Sequence, residues 1–352
     1  IMLERITFYI KKRLVAKGLL FVKKNPGAIK WGIIGLGNMA EVISTTIDGH
    51  KNAIVHGVAS RSIEKATSFA ARHGKCKAYG SYDEMLKDPN NNLDIIYIAT
   101  PVMQHYAIVK QCLLAGKNVL CEKPITYSSS QFKELVELAK ENNCFLMEGM
   151  WMKCLPTFRQ AHKWINEGQI GKIELVKADF YKKELIKPEL SIFDVNEGGG
   201  VLTDYGVYAI SFMTTFLKGV PESMQFSKRV SSLGIDSDWQ ISAQKEKKRA
   251  FINISSNFSS QSKAAIIGEK GSIEWSSQFN RTNKITLFDS YGNQIKEFVY
   301  KYKYQGFEHE VEEVTRCLKS EKKESVLLPL KESLDTLTVI DQLKINQPNN
   351  NF

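Results

Sequence analysis

The chain has 352 residues, 43% apolar and 24% charged, the composition of an ordinary globular protein long enough for about two domains. These values exclude a disordered, collagenous or low-complexity chain, and no run approaches the ~18 uncharged apolar residues of a membrane span. The formal net charge of +10 is unevenly placed: residues 1–30 hold eight basic groups and the single acid Glu4, which leaves +3 for the other 322 residues. A nearly balanced body argues against a nucleic-acid-binding face and makes the basicity a property of the N-terminal extension.

Within residues 1–30, apolar patches (Ile6, Phe8, Ile10; Leu14, Val15; Leu19 to Val22) alternate with lysines. The pattern fits a basic amphipathic segment in peripheral contact with an anionic membrane, or an extension that packs on the body. It lacks an uninterrupted apolar core and a small-residue cleavage site, so a cytoplasmic protein is expected. Cys76, Cys112, Cys121, Cys144, Cys154 and Cys317 lie far apart, with no Cys-x-x-Cys and no histidine pair at metal-ligand spacing. Free thiols are expected, and neither a disulfide framework nor a metal site.

From Trp31 the pattern becomes regular. Strand-length apolar runs at 31–35, 53–59, 93–99, 117–121 and 144–148 alternate with amphipathic helical segments at 39–47, 62–73, 102–115 and 128–142. Strands apolar on both faces, separated by helices, predict a doubly wound parallel sheet over residues 31–150. The second half differs. A helix at 156–167 and a strand at 173–181 precede a helix that begins after Gly198-Gly199-Gly200. Strands then follow near 222–230, 237–245, 249–258, 262–268, 271–276, 284–289 and 294–301, joined by short turns. Strands without intervening helices predict an α+β domain over 151–330 with a large, mostly antiparallel open-faced sheet. Helices at 306–319 and 331–345 follow, and residues 331–352 form a C-terminal helix and tail.

Gly35-Leu36-Gly37-Asn38-Met39-Ala40 matches G-x-G-x-x-A between a strand and a helix, the context a dinucleotide-binding loop requires. Gly35 permits the tight turn, Gly37 lets backbone N–H groups approach a pyrophosphate, and Ala40 keeps the helix close to the sheet. The second strand ends in Ala59-Ser60-Arg61-Ser62, with no acid to hold a ribose 2′-hydroxyl. Arg61 can grip a 2′-phosphate and stack on adenine while Ser60 donates a hydrogen bond, so NADP is expected, with NAD possible. The carboxyl ends of the next strands, where ligands bind in such sheets, carry Thr100, Pro101 and His105, then Cys121-Glu122-Lys123-Pro124. Glu122-Lys123 at the end of a buried strand is either a surface ion pair or a functional group, and Pro124 suits a tight, cis-compatible turn. Finally, Gly198-Gly199-Gly200 leads into Asp204 and Tyr208, four apart on one helical face, with Gly206 between them at a cost of roughly 1 kcal/mol relative to alanine. By spacing alone, Tyr208 is equally a core aromatic or a functional phenol.

Taken in order, these motifs resemble the Gfo/Idh/MocA (glucose–fructose oxidoreductase, inositol dehydrogenase, rhizopine catabolism) oxidoreductase family. The resemblance is strongest to its branch of dimeric dihydrodiol dehydrogenases and NADP-dependent xylose dehydrogenases. It runs from about residue 31 to 345 and rests on Gly-Leu-Gly-Asn-Met-Ala, Ala-Ser-Arg at 59–61, Ala-Tyr-Gly-Ser-Tyr at 78–82, Cys-Glu-Lys-Pro, Met-Glu-Gly-Met-Trp at 147–151 and Gly-Gly-Gly-(x)3-Asp-(x)3-Tyr. It implies a Rossmann domain joined to an open-faced sheet domain. It also implies that Lys123 and Tyr208 flank the substrate beside the nicotinamide, that Asp204 is the substrate-side acid, and that Trp151 is a pocket-wall aromatic. After that tryptophan the chain departs from the branch, with Met152-Lys153-Cys154 where Thr-Arg-Phe is frequent.

The implied activity is hydride transfer between nicotinamide and a secondary alcohol or hemiacetal of a sugar, polyol or cyclic diol. Tyrosine ionises near ~10 when free, too high for base work at neutral pH, and an ammonium beside it favours the phenolate. The expectation is therefore that Tyr208 moves the proton, Lys123 tunes it and polarises the reacting oxygen, and Asp204 and Trp151 orient the substrate. Two alternatives stand beside it. One is a nucleotide-sugar dehydrogenase or reductase of surface-polysaccharide synthesis; the other is a non-catalytic NAD(P)-binding sensor or corepressor. An exposed sheet face needs a covering, so a homodimer or homotetramer is expected.

Overall fold

The structure is a computed structural model that describes residues 22–184 and 194–345. The expectations for residues 1–21 and for the tail beyond 345 lie outside the described residues. Two compact units are present. The first contains the described residues up to Ile125, then Gln131–Trp151 and Tyr302–Leu330; the second contains Thr126–Ser130, Met152–Lys301 and the residues from Lys331 onward.

The first unit alternates strand and helix: β1 (Ile29–Ile34), α1 (Asn38–Asp48), β2 (Ala53–Ala59), α2 (Ile63–Arg72), β3 (Lys77–Tyr79), α3 (Tyr82–Lys87), β4 (Ile95–Ile98), α4 (Val102–Leu114), β5 (Asn118–Glu122), α5 (Ser129–Glu141) and β6 (Leu146–Gly149). The strands form one six-stranded sheet in the order β3-β2-β1-β4-β5-β6, and every pair is parallel. Burial explains this arrangement: all four residues of β4, Ile-Ile-Tyr-Ile, are buried, as a strand covered on both faces requires. The order reverses between β1 and β4, which opens a crevice at the carboxyl ends of the strands. Ser62 and Ser81 cap α2 and α3 by accepting from Lys65 N (3.2 Å) and Glu84 N (3.1 Å).

The far end of α1 is tied down by charge. Lys24 donates from Nζ to the carbonyls of Ile47 (2.8 Å), Asp48 (2.9 Å) and His50 (3.0 Å), an ammonium at the negative end of the helix. Beside it, buried His73 at the end of α2 places Nδ1 2.6 Å from Asp48 Oδ2 and Nε2 3.5 Å from Glu41 Oε1.

The second unit opens with a 3-10 turn (Trp151–Cys154, shared with the first unit at Trp151) and α6 (Pro156–Asn166), which starts with proline at its first position. β7 (Ile173–Tyr181) follows, then a π-helical turn (Leu202–Gly206) running directly into α7 (Val207–Leu217). β8 (Ser223–Val230), β9 (Asp236–Lys245), β10 (Lys248–Ser255), β11 (Ala264–Gly268), β12 (Gly271–Trp275), β13 (Lys284–Asp289) and β14 (Gln294–Val299) complete an eight-stranded sheet in the order β14-β13-β12-β11-β7-β10-β9-β8. All its pairs are antiparallel except β7 with β10. Period-two burial divides the faces. Trp239, Ile241 and Ala243 of β9 are buried with their β10 partners Ile254, Ile252 and Ala250, while Gln240, Ser242 and Phe251 are exposed. An aromatic cluster joins the helices to the sheet: Phe212 meets Trp275 edge-on at 5.0 Å and Phe216 at 4.8 Å.

The chain then returns. Tyr302–Leu330, which the sequence reading places with residues 151–330, is packed with the first unit, where α8 (Phe307–Lys319) lies against α1. The entry to α8 is organised by Glu308, which accepts from the backbone N–H groups of Lys303 (2.6 Å), Tyr304 (3.0 Å) and Gly306 (2.9 Å). Leu146 N of β6 donates to Lys323 O at 3.1 Å. From Lys331 the chain rejoins the second unit through α9 (Leu330–Ile345). Among the described residues, no helix is long and apolar enough to cross a membrane.

Candidate active site

The loop between β1 and α1 has two glycines with opposite reasons. Gly35 has φ +84°, and a Cβ there would lie 2.7 Å from the backbone carbon of Ala99 and 2.8 Å from Thr100 Cγ2. The turn is therefore pressed onto the end of β4 and only glycine fits it. Gly37, the N-cap of α1, has no side-chain cap, and a Cβ there would meet no atom within 4 Å. Gly37 and Asn38 are exposed, Met39 is half-buried, and Leu36 and Ala40 are buried. The result is an open space facing uncapped N–H groups at the positive end of a helix, a cradle for a pyrophosphate. These residues fit a dinucleotide.

At the end of β2, Ser60 is buried and its hydroxyl accepts from Ser62 N at 3.3 Å. Arg61 is exposed and makes no hydrogen bond or ion pair with the described residues. Its charge lies near Tyr82, the first residue of α3, which the sequence reading placed in a motif without assigning it a role. An exposed guanidinium at the end of β2 is a group that can meet an anion.

The ends of β4 and β5 are joined by His105, which is buried. Its Nε2 lies 2.7 Å from Thr100 O and its Nδ1 2.9 Å from Pro124 O. Both nitrogens thus face backbone carbonyls, so the ring ties the Thr100-Pro101 turn to the turn that follows Lys123. Burial holds its pKa below the ordinary histidine value, against the pull of the two carbonyls. The Lys123–Pro124 peptide is cis. Behind Lys123 the strand end is acidic and dry. Glu122 accepts from the Tyr97 hydroxyl at 2.6 Å, and Glu148 of β6 accepts from Ile125 N at 3.1 Å. Glu310 of α8 is fully buried, with no hydrogen-bond partner on either carboxyl oxygen among the described residues. Burial pushes Glu122 above the ordinary carboxylate pKa and Glu310 well above it, and Glu122 and Glu148 reinforce the shift at Glu310. Sequence reading places Glu148 in a motif without assigning it a role and misses Glu310; their signal is a charged residue at a core-facing position, visible only once the faces are known.

In the second unit, Asp204 lies within the π-helical turn and Tyr208 in the first turn of α7, where Tyr208 is buried. A π-turn inside a helix is a frequent mark of a functional site. Gly206 is small because β10 comes close: a Cβ there would stand 2.9 Å from Ile254 Cδ1. Phe180 of β7 lies nearly parallel to the rings of Tyr205 (5.2 Å, 8°) and Tyr208 (5.9 Å, 11°). Tyr205 donates to Glu184 at 2.5 Å and accepts from Lys182 at 3.1 Å. Burial and that carboxylate push its pKa far above the usual phenol range, so it stays protonated. Trp151 stacks on Phe307 at 4.3 Å and 15°. Lys153, where the chain departs from the expected Thr-Arg-Phe, is buried and donates to Glu332 Oε2 at 2.5 Å; Thr215 donates to the same oxygen at 3.1 Å. This lysine is part of the second unit's interior.

The chain matches the profile of the Gfo/Idh/MocA oxidoreductase family, NAD-binding Rossmann fold, over residues 29–150, and that of the Gfo/Idh/MocA C-terminal domain over residues 158–274. It is 33% identical over 326 residues to the trans-1,2-dihydrobenzene-1,2-diol dehydrogenase of Xenopus laevis, spanning 90% of this chain and 97% of that protein. The chain belongs to the Gfo/Idh/MocA oxidoreductase family. It is an oxidoreductase whose first unit is a nicotinamide-dinucleotide-binding domain, as the glycine loop implied. Two solved structures share the fold. KijD10, a 3-ketoreductase from Actinomadura kijaniata in complex with NADP and TDP-benzene, has TM-score 0.76 at 22% identity over 90% of this chain and 96% of that one. An aldose-aldose oxidoreductase from Caulobacter crescentus complexed with glycerol has TM-score 0.78 at 18% identity, with the same coverage of each chain.

Proposed function

We propose that this oxidoreductase acts on the CH–OH group of a sugar, polyol or cyclic diol with NADP as the preferred cofactor. The relatives at about one-third identity are named as diol dehydrogenases, which supports a vicinal diol or a ring hydroxyl as the reacting group. Arg61, unpaired where an acid would select NAD, supports NADP. When bound, the cofactor accepts or supplies the hydride. Gly35, Leu36, Gly37, Asn38 and Met39 hold its pyrophosphate at the N-terminus of α1, Ser60 and Arg61 hold its 2′-phosphate, and Thr100, Pro101, Glu122 and Lys123 shape the crevice edge. His105 acts from behind by fixing that edge.

Oxidation of an alcohol releases a proton, which a group on the protein must take. The observation that carries the assignment is that the π-helical turn holding Asp204 runs directly into the first turn of α7 holding Tyr208, so one short segment supplies a carboxylate and a phenol. Tyr205, which donates to Glu184 and is held protonated, is unsuited to base work. Tyr208 takes the proton in oxidation and returns it in reduction. Lys123 supplies the ammonium that favours phenolate and polarises the reacting oxygen. Asp204 and Trp151 orient the ring hydroxyls. The exposed face of the eight-stranded sheet, which carries Phe251 beside Ser242, supports self-association as a homodimer or homotetramer.

The test is Tyr208→Phe, assayed with NADP⁺ on benzene trans-dihydrodiol, D-xylose and myo-inositol beside a set of nucleotide sugars. We expect kcat to fall on the order of 10²–10⁴-fold with NADPH affinity unchanged. Turnover surviving within a few-fold would pass the proton role to another group, Lys123 first. Turnover of nucleotide sugars alone would replace the substrate class.

A further inference from the structure

The glycine run before Asp204 looks like a ligand-binding loop, but the structure fills its concave side with protein. Gly200 has φ +128°, and a Cβ there would collide with Oδ1 of Asp236. The other carboxylate oxygen, Oδ2, accepts from Leu202 N at 2.8 Å, the first residue of the π-turn, and from Trp239 Nε1 at 2.7 Å. Both oxygens are therefore used. One satisfies an N–H group at the start of the helix, where a negative charge also complements the helix dipole; the other occupies the space that glycine leaves. The loop closes on itself behind this contact: Thr203 Oγ1 donates to Gly198 O (2.9 Å) and Gly200 O (3.2 Å), and Asp204 N donates to Gly200 O (3.2 Å).

Asp236 is fixed in turn. It begins β9, Trp239 anchors it from the same strand, and the ammonium of Lys344 on α9 is its neighbouring counter-charge. That ammonium also rests 3.5 Å from the ring centroid of Tyr127 and donates to Tyr127 O at 3.3 Å. Asp341 on the same helix accepts from Ser129 N at 2.7 Å. A rigid strand, a helix and the 126–130 segment thus converge on one carboxylate, and that carboxylate holds the turn from which Asp204 and Tyr208 project.

We propose that Asp236 is the positioning residue for Asp204 and Tyr208: it caps the π-turn, sets the rotation of the helix that carries both groups, and fills the space that a side chain at residue 200 would need. The catalytic consequence rests on the reading of Tyr208 given above; the capping role does not. A misplacement of about 1 Å at the reacting groups costs on the order of 10²-fold in rate, so a loosened cap is expected to be read mainly in kcat.

The experiment uses the full chain in four forms: wild type, Asp236→Ala, Asp236→Asn and Gly200→Ala. Amide hydrogen exchange over residues 201–206 reads the cap directly. NADPH titration and steady-state kinetics with NADP⁺ and benzene trans-dihydrodiol read its effect. Asp236→Ala and Gly200→Ala are expected to exchange faster in this segment and to lose kcat by roughly 10–100-fold, with KM changed less and NADPH affinity within twofold. Asp236→Asn, which keeps an acceptor oxygen, is expected to recover most of both. Wild-type exchange over 201–206 in Asp236→Ala would overturn the cap. Faster exchange with kcat and KM within twofold of wild type would overturn the positioning role. If Asp236→Ala does not fold, Asp236→Ser, whose hydroxyl is one atom too short to keep the contact with Leu202 N, decides in the same way. Full turnover in Tyr208→Phe would refute the reading of Tyr208 and leave the exchange result to stand or fall separately.

Discussion

The two loop glycines predict opposite phenotypes for the same one-carbon change. Gly35→Ala forces an L-residue into φ +84° and drives its Cβ to 2.7 Å from the backbone of Ala99 and 2.8 Å from Thr100 Cγ2. The left-handed conformation costs about 1–2 kcal/mol and the overpacking about 1–3 kcal/mol, so a stability loss of about 2–5 kcal/mol is expected. Gly37→Ala meets nothing within 4 Å at φ −96°. Alanine is a poorer N-cap by about 0.5–1 kcal/mol, and the stiffer unfolded chain returns about 0.4–1 kcal/mol, so stability is expected to stay within about 0.5 kcal/mol of wild type. Its methyl group, however, occupies the space where a phosphate must lie against the helix N–H groups. Losing one charge-assisted hydrogen bond, about 1.5–3 kcal/mol, corresponds to roughly 10–100-fold weaker NADPH binding. Denaturant unfolding without cofactor and NADPH fluorescence titration separate the two. The reasoning is refuted if Gly37→Ala binds NADPH within twofold of wild type, or if Gly35→Ala unfolds at the wild-type midpoint.

Three further predictions follow from single groups. Arg61→Ala is expected to weaken NADPH by at least ~10-fold, the loss of a bidentate charge pair, and NADH by no more than two- or threefold; equal losses in paired titrations would contradict the assignment. Burial lowers the pKa of His73, but Asp48 and Glu41 overcome it and the net shift is upward. Its stabilising contribution is therefore complete below about pH 6.5 and is lost as pH rises through the folded-state pKa. Unfolding free energy measured from pH 5.5 to 8.5 should carry that decline in wild type and not in His73→Gln. Glu310, raised by burial and by Glu122 and Glu148, keeps its proton in the folded state above the pH at which the unfolded chain releases it, so it costs stability as pH rises from about 4.3 upward. Glu310→Gln should flatten that slope and leave the protein at least as stable at pH 7.5; a less stable variant there would show that the ionised form is the one the fold requires.

The alternation of apolar runs with amphipathic segments was enough to locate both sheets, because buried strands such as Ile95–Ile98 and period-two strands such as β9 have distinct patterns. What escaped was short or non-local. β3 has three residues and α3 six, too few for a periodicity to show, and Tyr82 was overlooked as a neighbour of Arg61 for that reason. Asp204 and Tyr208 were legible as a pair, while the π-turn beneath them was not, since it depends on Asp236, 32 residues beyond Asp204. His105 stood out as a titratable residue at a strand end; only coordinates show that both its nitrogens are occupied by carbonyls. Nor does any residue of 302–330 indicate which sheet it will cover. Its amphipathic helix suits either, and the choice is made by long-range contacts such as Leu146 N to Lys323 O.

That last feature bears on how the protein emerges from the ribosome. The nucleotide-binding half looks like an autonomous N-terminal module, complete by residue 151, yet Trp151 stacks on Phe307 and β6 is hydrogen-bonded to Lys323. A nascent chain stopped after β6 therefore exposes an unfinished edge and an unshielded indole. Only when synthesis has passed residue 330 can the earliest-made portion be sealed, so the half translated first waits for most of the other half to be made.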